Sequence, residues 1–220
     1  MKQFILTLLM ALSITIHAKD KEFTVTASQP QAKIYVNGRE VGQGSAKIKV
    51  PAYGSVKVEV KMEGFRKREV TYYNDSEHPK LDKFYTIELF PDEAYENSIP
   101  GANVANENIT INTEKAEDKA WKVISEVVTN HFDILEVSDK STGYIRTSWN
   151  VQNIGGKTIR TRVIIKGASS DSKASYKVKL VSEYSDGEDI NVKNDESFKP
   201  WDRILKKYKD IVPELQDRLK

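Results

Sequence analysis

Apolar and polar residues alternate with a period of two along much of this chain. Three consecutive runs show it most clearly, at residues 144–149, 158–166 and 174–183. Ile145, Thr147 and Trp149 fall on one side, as do Ile159, Thr161, Val163 and Ile165, then Tyr176, Val178 and Leu180. Successive strand residues point to opposite faces, so the pattern predicts antiparallel strands with one face buried and the other wet. The wet side collects Arg146, Arg160, Arg162, Lys166, Lys177 and Lys179. It is basic, and no set of catalytic groups sits on it.

Residues 22–90 carry shorter alternations: Phe23 and Val25; Ile34 and Val36; Ala46, Ile48 and Val50; then Val56, Val58, Val60 and Met62. Asn37-Gly38 is a strong hairpin signal, because both central positions of a type I′ turn need positive φ. Residues 51–54 and Glu63-Gly64-Phe65 punctuate the later runs, and residues 66–73 and 84–90 close the set. Short, evenly spaced strands of this kind predict a small β-sandwich.

The same stretch resembles a PEGA domain over roughly residues 24–74. The resemblance rests on Ser28, Pro30, Ala32 to Gly38, Gly42, Tyr53-Gly54 and Glu63-Gly64-Phe65. Gln31 stands where the pattern has a glycine, and Gln43-Gly44-Ser45 replaces its Thr-Pro. The resemblance implies a non-catalytic β-module of an envelope or surface protein.

Residues 91–108 hold Pro91, Pro100, Gly101 and several asparagines, which interrupt any period and read as a linker. Beyond it, residues 109–220 predict a β-α-β-β-β-α domain with helices on one sheet face. Its first helix has Ala120, Trp121, Ile124, Val127 and Val128 at helical spacing, with Thr113 as the expected N-cap. A strand at 132–137 leads into the three-strand block. The last helix is expected over 201–219, with Pro213 forcing a kink or restart. Ala120-Trp121, residues 141–147 and Trp149 are similar to the helix-grip domains of lipoprotein component C of the outer-membrane β-barrel assembly machine, which implies an envelope interaction domain.

The N-terminus changes the picture of compartment. Lys2, an apolar run over 4–16 and Ile16-His17-Ala18 ahead of charged Lys19 to Glu22 have the layout of a signal peptide spanning 1–18. The run is shorter than the roughly 20 residues a bilayer span needs. Export through a cleaved signal peptide, to periplasm or medium, is the expectation, with mature domains at 19–90 and 109–220. The formal net charge is +2, so overall charge gives no reason to expect nucleic acid, and only local patches matter. Cysteine is absent, which removes disulfides and thiolate chemistry.

Candidate chemistry is sparse. His78 in a polar loop and His131 at a helix end are isolated, and metal sites need several convergent ligands. Asp186, Glu188 and Asp189 lack the distal glutamate of an EF-hand loop. Gly155-Gly156-Lys157 lacks the frame of a phosphate loop and fits a hairpin turn. No cofactor, catalytic or metal residue is assigned, and nothing fixes the oligomeric state. The sequence thus predicts a non-catalytic envelope protein that binds an acidic protein or polymer through Arg146, Arg160, Arg162, Lys177 and Lys179. The alternative is a carbohydrate-binding protein that stacks sugars on Tyr72, Tyr73 and Tyr85.

Overall fold

The computed structural model describes residues 19–170 and 173–220. The expected signal peptide, 1–18, lies outside the described residues. The chain divides after Pro91 into two compact units.

The first unit is all β. Its strands are β1 (Lys21–Ala27), β2 (Lys33–Val36), β3 (Arg39–Gln43), β4 (Ser45–Val50), β5 (Gly54–Lys61), β6 (Arg68–Asn74) and β7 (Phe84–Ile87). They form one sheet in the order β6-β5-β2-β3-β4-β1-β7, with β1 and β7 parallel and the other pairs antiparallel. Asn37 and Gly38 both take positive φ, 48° and 82°, in the β2–β3 turn, as the Asn-Gly pair predicts. The sheet curls on itself. Tyr72 of β6 and Tyr85 of β7 belong to opposite ends of the strand order, yet their rings lie 4.7 Å apart. Phe23, Val25, Ile34, Ile48, Val50, Val58 and Val60 fill the interior between the layers. Strand β3 was not foreseen: its residues are mostly exposed, so no apolar alternation marks it.

The second unit is α+β. It contains α1 (Glu93–Glu96), β8 (Ser98–Pro100), β9 (Ile109–Thr113), α2 (Glu117–His131), β10 (Leu135–Asp139), β11 (Tyr144–Thr147), β12 (Asn150–Ile154), β13 (Lys157–Ser170), β14 (Lys173–Asp186), β15 (Lys199–Pro200), β16 (Arg203–Leu205) and α3 (Ile211–Arg218). The long β13–β14 hairpin is its spine. One edge of β13 pairs first with β12 and then with β11, which in turn pairs with β10. The far edge of β14 takes β9 and β15. The inward face of this sheet and α2 and α3 share one core around Ile124, Val127, Ile145, Ile159, Val163, Ile165, Leu180 and Leu215.

Three expectations need correction here. Residues 91–108 are not a linker: α1 and β8 lie there, β8 pairs with β16, and Asn106 bonds to Ser182 and Trp201. Asparagine-rich sequence hid this, because its bonds are made by side-chain amides to distant backbone. Thr113 does not cap α2. The N-cap is Ala116, and the buried Thr113 hydroxyl instead donates to the carbonyl of Leu219. The C-terminal helix is also shorter than expected. Residues 201–208 form β16 and a 3-10 turn, and α3 begins at Ile211. Pro213 then sits in the first turn, where its missing N–H has no intrahelical role to lose.

Candidate interaction surface

Register places the five predicted cations on the outward face of β11, β13 and β14, but not in equivalent settings. Arg160 lies opposite Glu183, Ile164 opposite Lys179, and Lys166 opposite Lys177; Arg146 of β11 faces Ile164.

Arg160 is not a wet residue. It is 3% exposed. Its Nε and an Nη donate to Glu183 Oε2 at 2.7 and 2.6 Å, and its other Nη reaches Asp195 Oδ1 at 2.7 Å and the Val192 carbonyl at 2.6 Å. The guanidinium is sandwiched between Trp149 and Phe198, 4.2 and 4.0 Å from the ring centroids. Residues 187–198 make this burial possible by crossing the outward face. That excursion is anchored by the β12–β13 hairpin: Thr158 Oγ1 donates to Gly187 O and accepts from Ile190 N, while Asn153 donates to Asp189. The acidic turn is therefore already engaged by the protein's own donors.

Trp149 was expected on the core face with Ile145 and Thr147. The strand ends at Thr147, and Ser148 N turns to bond Ile134 O, so the alternation resets before Trp149. Its ring serves as the platform for Arg160 and also for Arg162, whose guanidinium lies 4.0 Å from the ring centroid. Arg162 is half-buried, and its Nε has no hydrogen-bond partner. Burial, assisted by repulsion from Arg146, pulls its pKa below the ordinary arginine value. Arg146 is matched by Glu136 through two contacts of 3.1 Å. Lys177 is exposed and Lys179 half-buried. Among the described residues, neither of them nor Arg162 has a carboxylate within ion-pair distance.

The tyrosines of the first unit are placed differently. Tyr72 is buried, with Phe23 at 4.6 Å on one flank and Tyr85 at 4.7 Å on another. Tyr73 is exposed, but the His78 ring stacks on it at 3.9 Å and 5°. His78 is itself held by Asp75, 2.8 Å from Nδ1. Tyr72, Tyr73, Tyr85 and His78, with Leu81 and Asp82, border a hollow of about 410 Å³. The ring faces a sugar would use are largely spent on one another.

Sequence reasoning missed Phe198 and Val192 as partners of Arg160. Phe198 stands alone in a polar stretch, so no periodicity pointed to it. Among the described residues, no group of three or more Asp, Glu or His converges as a metal site, and no helix is long and apolar enough to cross a membrane.

Residues 21–84 match the PEGA domain model, a span that runs from the first residue of β1 to the first of β7. Over that span the N-terminal unit is similar to PEGA domains, a non-catalytic family typical of extracellular or periplasmic proteins. Comparison with curated proteins returns no match.

Proposed function

We propose that this is an exported, non-catalytic binding protein of the cell envelope, whose second unit docks an acidic protein or polymer on the outward sheet face. Arg146, Arg162, Lys177 and Lys179 carry the binding; Arg160 holds the surface together from beneath. The observation behind this reading is the imbalance of charge on the face. Lys166 and Lys177 sit directly opposite one another, and Lys179 follows two residues on, without a neighbouring carboxylate among the described residues. Like charges across a strand pair cost a few tenths of a kcal/mol or more, so folding alone does not favour collecting them. The similarity to PEGA domains supports an envelope setting and a binding role. The geometry favours this face over the tyrosine hollow, where the rings already pair.

The test is charge reversal. The full mature chain and its Lys177→Glu/Lys179→Glu variant are used to capture partners from native envelope extract at rising salt. Capture by the parent should fall steeply with salt, since the Debye length is about 8 Å at physiological ionic strength. Equal capture by a variant that melts like the parent would refute the proposal. The export half of the reading predicts a mature N-terminus at Lys19, and intact mass of the exported protein checks it; retention of Met1 on exported protein would overturn cleavage.

A further inference from the structure

Arg160 and Arg162 are neighbours on the same strand face and share the Trp149 ring, yet only one of them is complete. Arg160 has a carboxylate (Asp195), a peptide carbonyl (Val192) and a second aromatic ring (Phe198), all from one stretch of chain lying across the sheet. Arg162 has Trp149 beneath it, a buried Nε without an acceptor, and no carboxylate in ion-pair range among the described residues. Val151 of β12, which lies opposite Arg160 on the outward face, is an exposed apolar residue there.

Resting on the docking role proposed above, we infer that Arg162, on its Trp149 platform and beside Arg146, is the primary subsite for an acidic polypeptide segment that pairs a carboxylate with an aromatic residue. The segment 192–198 is the internal example of such a ligand. An arginine stacked on an aromatic ring keeps its donor edge free for a planar carboxylate, and the carboxylate accepts two parallel N–H bonds there. Burial of the guanidinium strengthens that pairing, because less water competes for the donors. Phosphate polymers offer anions but no ring to stack on Arg162 as Phe198 stacks on Arg160. Tryptophan and arginine are also the residues most often found where binding energy concentrates. Lys166, Lys177 and Lys179 then supply long-range attraction and Arg162 supplies selection.

The probe is the capped tetrapeptide Asp-Glu-Ser-Phe, the chain's own residues 195–198, titrated into the full mature protein by NMR with the Trp149 indole as reporter. Its Asn-Gln-Ser-Phe and Asp-Glu-Ser-Ala analogues, and a polyphosphate of equal charge, are the comparison ligands. The acidic aromatic peptide should bind more tightly than either analogue by about tenfold, the order expected for removing one charge-assisted or stacking anchor. Arg162→Lys keeps the charge but loses the fork, and should weaken the peptide by a similar factor. Equal binding of the Asn-Gln analogue, unchanged affinity in Arg162→Lys, or tighter binding of polyphosphate would each overturn the inference. The ligand comparisons need no variant, so they decide even if Arg162→Lys folds poorly. If Lys177→Glu/Lys179→Glu abolishes envelope capture while Arg162→Lys leaves it intact, the docking face stands and the Arg162 subsite falls. If neither change affects capture, both readings fall.

Discussion

Removing the Arg160 guanidinium would strip donors from Glu183, Asp195 and the Val192 carbonyl at once, and leave Trp149 and Phe198 without the group between them. Breaking a fully buried ion pair from one side costs about 3–5 kcal/mol. Here Glu183 and Asp195 keep access to water, so Arg160→Met should cost less, about 2–3 kcal/mol. Asp195→Asn should cost under about 1 kcal/mol, because its side chain is 80% exposed. Urea denaturation of the two variants checks the order; a harmless Arg160→Met would mean the stretch 187–198 is held by its hairpin contacts alone. The face of Arg160 was legible from alternation, but its burial was not. Alternation records the side of a sheet on which a residue lies, whereas burial depends on what later crosses that side. The chain that crosses is some 30 residues further on and is polar, apart from Ile190, Val192 and Phe198.

At the scale of elements, the hand-over between β12 and β11 along one edge of β13 creates a specific need. Strand β12 pairs through Thr161 and β11 begins at Ile164, so the edge is unmatched around Arg162 and Val163. The buried Thr147 hydroxyl fills the gap, accepting from Val163 N at 3.0 Å. Thr147→Val has the same shape but cannot accept, and would leave a buried N–H unpaired at a cost of about 1–3 kcal/mol. Thr147→Ser should recover most of that stability. Parallel urea melts of the two variants check this, and equal melts would mean that the N–H has another acceptor. The sequence showed the runs of β11, β13 and β14 because each alternates strictly. It concealed β12, where Asn150, Gln152 and Asn153 leave only Val151 and Ile154 as apolar residues, three apart. The turn before β11 was legible for a local reason: Asp139 accepts from the Ser141 N–H and from the hydroxyls of Ser141 and Thr142, and Gly143 takes φ of +63°. Turn chemistry of this kind is written in adjacent residues, whereas a hand-over between strands is not.

For the whole molecule, the boundary after Pro91 decides what can fold alone. Expectation from composition put the second domain at 109–220, and the structure starts the second unit at Asp92. Several contacts would be lost by starting later. Asp92 caps α1 through Ala94 N and pairs with Lys157 Nζ at 2.6 Å, both side chains being mostly buried. Strand β8 pairs with β16, and Arg203 donates to Ser98 Oγ at 2.7 Å. Asn106 donates to Ser182 O and Trp201 O and accepts from Ser182 N, bonds of 2.9, 2.9 and 3.0 Å. At about 1 kcal/mol net per hydrogen bond, and more where a buried partner is orphaned, the segment contributes several kcal/mol. Domains of this size are stable by only about 5–15 kcal/mol, so the loss is a large fraction of the total. Residues 19–91 and 92–220 should therefore each melt cooperatively when expressed separately, with well-dispersed amide spectra. A fragment 107–220 should be at least about 3 kcal/mol less stable than 92–220, or only partly folded, since it also loses Asn106. Calorimetry and urea titration of the three fragments test this. Equal stability of 107–220 and 92–220 would show that α1 and β8 are passengers on the second unit, and failure of both 19–91 and 92–220 to fold would show that the two units depend on one another.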